Sequence, residues 1–347
     1  MERNKSLDIL KGIGILLVII GHIQEYIPHN FLIYLYSFHM PLFFYISGYL
    51  YKEKYEELNS KEYIKKRAKQ LIYPYITLGL VNLLWIIIKD HNLIEIKKFI
   101  LSFLYSNYIF EINYVGAIWF LLCLFNVEVI YYLIRKSKAN KYTSIVIIIL
   151  FIIGIIHTKL AIYRLPFWLD ITLFALLFYH LGYIIKFKRR SVYTMGMKLI
   201  FLGISICISI IGIVLNYQYC YNEKFLGRID MLYLHFGNYI FFIITAISGI
   251  FTWQIISEII KENFILEWLG RNTLVIMGIH IIILQVLRYI IKLTPITNFI
   301  IIFFLLFTLT LVISFISVNI INKILPWLTQ YNKFRKMIER KKLNERN

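Results

Sequence analysis

Apolar runs of about twenty residues, separated by short polar segments, recur along the whole chain. Each run is long enough to cross a bilayer as a helix. The pattern predicts about ten spans, near residues 7–27, 30–51, 71–89, 113–134, 142–157, 166–186, 198–216, 231–256, 272–291 and 297–322. Residues 93–105 read instead as a short amphipathic helix lying at the membrane interface. The fifth and seventh spans are nearly featureless Ile/Leu runs and are expected to face lipid. No stretch of roughly 100 residues with ordinary composition is left over for a soluble domain. The expected class is an all-α, polytopic integral membrane protein with one embedded domain over residues 1–325 and a basic tail over 326–347.

Composition supports that class. The 347 residues are 59% hydrophobic with mean hydropathy +0.69, above the balance of soluble domains. A net charge of +19 raises the question of nucleic acid, but the distribution argues against it. The cations cluster in alternate loops: Lys52 to Lys69, Arg135 to Lys141, Lys186 to Arg190, and the tail after Trp327. The intervening loops are poorer in Lys and Arg. This asymmetry predicts both termini in the cytoplasm and a multi-pass location in the cell membrane. The first apolar run has no small-residue cleavage site after it, so it is expected to be retained. Cys123, Cys207 and Cys220 have no metal or redox spacing.

Candidate chemistry is concentrated in the first hairpin. The segment LDILKGIGILLVIIGH holds Asp8, Lys11 and His22, and SFHMPLFFYISGYL holds His39 and Ser47. Ionisable groups inside a span are expensive and mark a site by default. Lys11 and His22 are eleven residues apart, which puts them on one helix face, about 16 Å apart along the axis. Asp8 can pair with Lys11 one turn away. His39, on the returning span, reaches a depth close to that of His22, so the two imidazoles could meet across the hairpin. Gly12, Gly14 and Gly21 let another helix approach closely. The run KKRAKQ after the second span, with Lys65, Lys66, Arg67 and Lys69, could cradle phosphates, although such a run alone also serves as a topology signal. A single intramembrane histidine equally well only bonds a neighbouring helix.

At these residues the chain resembles the acyltransferase 3 family of integral-membrane acyltransferases, closest to its fucose 4-O-acetylase-like branch. The matching pieces are the two hairpin segments, KKRAKQLIYPY, IWFLLCLF with Trp119, and TLVIMGIH ending at His280. The resemblance implies transfer of an acetyl or similar group from cytoplasmic acyl-CoA to a carbohydrate hydroxyl. By resemblance to this branch the acyl-CoA is the acetyl thioester and a co-substrate, with no bound cofactor and no metal expected. In the family's first-span signature the basic residue is usually Arg, and here it is Lys11. The family's Arg-x-x-Arg pattern appears as Arg67 and Gln70, with Lys69 adjacent.

The resulting expectation makes His22 the catalytic imidazole, either as general base or as a transient acyl carrier, and has His39 orient the acceptor or stabilise an oxyanion. Lys11, Lys66, Arg67, Lys69 and Arg271 are expected at the donor, with Asp8, Ser47, Trp119 and His280 in support. Glu25, Asp170, Asp230 and His235 are candidates for an outer sugar cleft. Partners are acyl-CoA, a polysaccharide, glycolipid or lipid-linked sugar, and membrane lipid. The rival readings are a transporter or flippase for an acyl or sugar carrier, since polar groups at mid-depth also suit that, and a structural partner of a synthase.

Overall fold

Asparagine opens several of the helices. Asn4, Asn59, Asn238 and Asn263 each sit just before a helix and accept from a backbone N–H of its first turn, satisfying a donor that has no partner inside the helix. The computed structural model describes residues 4–105, 116–138, 140–160, 163–188, 193–220 and 227–324. The predicted tail, Arg189, Arg190 and Lys224 lie outside the described residues.

The helices are α1 Lys5–Gly21, α2 His29–Tyr49, α3 Ser60–Asp90, α4 Leu93–Tyr105, α5 Trp119–Lys136 and α6 Thr143–Leu160. They continue with α7 Leu169–Lys188, α8 Met195–Cys220, α9 Tyr239–Ile260, α10 Phe264–Arg271, α11 Thr273–Lys292 and α12 Phe299–Ile324. Among the described residues, nine helices are long and apolar enough to cross a membrane: all but α1, α4 and α10. α1 has 17 residues and packs within the bundle against α2, α9, α10 and α11. The chain is thus an all-α, multi-pass membrane protein. The predicted interfacial helix at 93–105 is α4.

Three boundaries differ from expectation. α3 begins at Ser60 rather than near residue 71, so KKRAKQ lies on a helix and not in a loop. The Asn59 cap and the lack of a breaker before Pro74 explain it. α1 stops at Gly21, followed by a 3-10 turn at Gln24–Tyr26. The predicted eighth span loses its first residues to a connection, 227–238, before Asn238 starts α9. The short α10 was not read from the sequence.

α1 and α2 form the centre. Buried residues make up 78% of the apolar window of α2 but only 22% of those of α6, α8 and α12. The two Ile/Leu runs expected to face lipid are α6 and α8, with Ile145, Ile148, Ile152, Ile200 and Ile204 exposed. Two glycine pairs set the central contacts. A β-carbon on Gly12 would lie 2.0 Å from the Leu266 carbonyl oxygen, and one on Gly270 would lie 1.8 Å from that of Asp8. Across α2 and α7, β-carbons on Gly48 and Gly182 would collide with the Tyr179 and Tyr45 carbonyls at 1.8 and 2.0 Å. Backbones this close require glycine on both sides. Below, the proximal end of the bundle is the one where α1 begins, and the distal end is where it finishes.

Candidate active site

The distal cluster is built where α1 ends. His22 caps that helix, its N–H donating to the Val18 and Ile19 carbonyls at 3.1 Å. Its ring meets that of His280 on α11, with centroids 5.0 Å apart and planes at 52°. His280 is fully buried. Its Nδ1 lies 2.9 Å from the Ile276 carbonyl oxygen. A carbonyl only accepts, so Nδ1 carries the proton and Nε2 holds a lone pair. That Nε2 is buried with no hydrogen-bond partner. His39 repeats the arrangement on α2, with Nδ1 2.7 Å from the Leu35 carbonyl. Both imidazoles are therefore held by their own helix in the tautomer that leaves Nε2 able to accept a proton.

Tyr36 links the two histidine-bearing helices. Its ring stands edge-on to His39 at 4.8 Å, and its hydroxyl donates to the Gly21 carbonyl at 2.9 Å. The fields of His280, His39, Arg228 and Arg288 all reach the His22 ring. Arg288, two turns beyond His280 on α11, donates through Nη2 to the His22 carbonyl and to both carboxylate oxygens of Glu25, the latter at 3.0 Å. Arg228 lies 4.5 Å over the Tyr36 ring and pairs with Asp230 at 3.0 Å. Burial pushes the Asp230 carboxyl up from its ordinary value, against the pull of Arg228. His235 Nδ1 closes this connection by donating to the Arg228 carbonyl at 2.7 Å.

The structure thus brings His22, His39 and His280 to one end, with His280 as the ring packed on His22. Arg228 and Arg288 were not assigned a role from sequence. The signal for Arg288 was its place on the His280 face; Arg228 sits in a connection with no periodicity to read. Of the proposed sugar-cleft residues, Glu25 is paired with Arg288, Asp230 with Arg228, and Asp170 with Arg164.

The proximal end holds a different cluster. Arg67 on α3 and Glu128 on α5 form an ion pair at 2.9 Å, with side chains 13% and 6% exposed. Arg67 also donates to the Tyr63 hydroxyl at 3.3 Å and to Gln70 Oε1 at 2.7 Å. Tyr63 stacks on Tyr132 at 4.0 Å. Tyr51 touches the rings of Tyr55, Tyr131, Tyr179 and Tyr183. Arg67 was expected at a phosphate; the structure commits its charge to Glu128 because a guanidinium this buried requires a counter-charge. Lys65, Lys66 and Lys69 are exposed on α3, with Lys66 4.5 Å over the Tyr55 ring.

The remaining expected residues lie as follows. Asp8 is buried and pairs with Arg271 at 3.6 Å; Arg271 also pairs with Glu267. Lys11 is half-buried on α1, on the stripe leading toward His22. Ser47 bonds the Phe43 carbonyl of its own helix at 2.8 Å, and Trp119 is buried against Trp168 and Phe120. Among the described residues, no group of three His, Cys, Asp or Glu side chains is arranged to hold a metal ion. A groove of about 560 Å³ between α8 and α9 is lined mainly by isoleucine and phenylalanine and contains none of the three histidines.

Comparison with known proteins adds family-level information. The family described as "Acyltransferase domain" matches residues 4–318. Nodulation protein NolL of Mesorhizobium japonicum (strain LMG 29417 / CECT 9101 / MAFF 303099) is 38% identical over 82 residues, covering 21% of this chain. The match spans 22% of that relative's own length. No solved structure matches.

Proposed function

Because this chain belongs to the acyltransferase domain family over residues 4–318, we propose that it is a membrane O-acyltransferase using acyl-CoA, with acetyl-CoA as the donor, and a carbohydrate hydroxyl as acceptor. The observation that carries the proposal is the distal imidazole pair. His22 faces His280, whose buried Nε2 has a lone pair and no donor.

The mechanism follows from that geometry. The acceptor hydroxyl gives its proton to the His22 imidazole as its oxygen attacks the thioester carbonyl. The tetrahedral intermediate collapses, the C–S bond breaks, and the CoA thiolate recovers the proton from the imidazolium. His280 steadies the charge that appears on His22, and His39 orients the acceptor or polarises the carbonyl. An acyl-imidazole on His22 is an alternative route to the same product.

The donor enters from the proximal end, which we assign to the cytoplasm from the Lys/Arg asymmetry of the loops. Lys65, Lys66 and Lys69 offer exposed cations to the CoA phosphates, with Lys11 and Arg271 further along the path. Arg67 supports that surface through its pair with Glu128. The pantetheine arm then has to cover the rise from Lys11 to His22, about 16 Å. The acceptor arrives from the opposite face, as part of a surface polysaccharide, glycolipid or lipid-linked sugar.

The test uses purified protein in nanodiscs with acetyl-CoA and extracted surface glycans. CoA release and glycan acetylation should rise together, and both should vanish in His22→Ala. Transport of a glycan carrier without CoA release would replace this reading with the flippase alternative.

A further inference from the structure

The acceptor's chemistry can be read from what the distal rim lacks. Three acceptor groups lie there close in sequence or space. The Glu25 carboxylate is half-exposed in the 3-10 turn three residues after His22, and both its oxygens engage a single nitrogen of Arg288. Gln24 Oε1, its neighbour in the same turn, is buried with no hydrogen-bond partner. His280 Nε2 is buried against His22 with none either. A buried acceptor without a donor carries a desolvation cost, which a ligand with O–H groups relieves.

The guanidiniums nearby do not offset this bias. Arg288 is matched by Glu25, and Arg228 by Asp230. A carboxylate or phosphate on the sugar would meet guanidiniums already paired with carboxylates, lone pairs and the exposed side of Glu25. A neutral polyol would meet acceptors for its hydroxyl protons. Resting on the O-acyltransferase reading, we infer that this site selects an uncharged, hydroxyl-rich sugar, and that Glu25 is the residue that turns acidic sugars away.

The experiment measures binding and transfer separately. The detergent-purified protein is titrated by thermal shift with matched glycoside pairs, a p-nitrophenyl glucoside against the glucuronide and a galactoside against the galacturonide. CoA release from acetyl-CoA is recorded in parallel. The neutral member of at least one pair should bind at least about tenfold more tightly than its uronide. Glu25→Gln, which leaves Arg288 without its counter-charge, should raise uronide affinity and close most of that gap. Gln24→Leu should weaken the neutral sugar without helping the uronide.

Equal or tighter uronide binding to the unaltered protein would overturn the inference. So would an unchanged ratio in folded Glu25→Gln, or no binding by any of the four glycosides. Neutral-sugar binding without any CoA release would leave the selectivity standing and remove the O-acyltransferase reading instead.

Discussion

The two polar clusters buried in this apolar bundle have opposite characters. The proximal one is the more fully paired: Arg67 has Glu128, Tyr63 and Gln70, Arg135 has Glu56, and tyrosine rings fill the space between, with the buried Tyr51 and Tyr179 hydroxyls left without a hydrogen-bond partner. The distal one is open. His280 Nε2 and Gln24 Oε1 have no donor, and both lie by the turn that ends α1. A closed network rigidifies a core. Unpartnered buried acceptors are costly, and each calls for an explanation. On the proposed function, the proximal cluster holds α3 and α5 together, and the distal cluster is the one we propose for the chemistry.

The largest expected effect breaks the comparison directly. His22→Ala should lower acyl transfer by about a thousandfold or more while the apparent Tm of the purified protein moves by only a few degrees. A collapse in Tm with proportionate loss of activity would make the distal cluster structural as well.

Glu128→Ala is the mirror experiment. It leaves Arg67 buried without a counter-charge, a loss of about 3–5 kcal/mol. Folded yield and Tm should fall sharply, with transfer per folded molecule changing less than about tenfold. The double substitution Arg67→Met, Glu128→Met should recover much of the Tm, because it removes the unpaired charge and not only the pair.

His280→Gln comes next. It keeps a polar side chain of similar reach but removes the imidazole behind His22. Transfer should drop by about ten- to a hundredfold, mainly in kcat, with the KM for acetyl-CoA unchanged. A change confined to that KM would move His280 to the donor side.

The smallest effect lies outside both clusters. Lys5 bonds Glu262 where α1 meets the connection from α9 to α10. That hydrogen bond holds the Glu262 carboxyl below its usual value and raises Lys5 above its own. A depressed carboxyl contributes stability above its ordinary titration range and loses it as pH falls through the folded value. Both side chains are largely exposed, 51% and 71%, so the contribution is small. Glu262→Gln should shift the Tm by about 1 °C or less at neutral pH, and by nothing measurable in acid. A shift of several degrees would make this contact a third structural centre.

Much of the architecture was legible because a bilayer constrains a chain strongly. The length of an apolar run fixes a span, and α2, α6, α7, α11 and α12 fall close to their predicted bounds. Boundaries failed where a local signal outweighed hydropathy. Asn59 starts α3 while the sequence is still highly charged, and Asn238 delays α9 within an apolar stretch.

For the site, helical spacing put Lys11 and His22 on one face, and depth put His39 at a similar level. Spacing within a helix says nothing about which distant helix lies opposite. The pairing of His22 with His280, of Glu25 with Arg288 and of Arg67 with Glu128 needed the folded bundle. KKRAKQ looked like a single cationic surface, but on α3 it divides: Arg67 turns inward, and Lys65, Lys66 and Lys69 stay outside.

The glycine contact between α1 and α10 also bears on how the protein is made. Gly12 leaves the ribosome early, while Leu266 and Gly270, against which it packs, come late. At 5–20 residues per second the intervening chain of about 250 residues takes on the order of tens of seconds to emerge. Throughout that interval α1 has no α10 against its docking face, and His22 lacks the ring it packs on. A chain released before α11 would therefore display the first-hairpin motif in full without the His22–His280 ring pair.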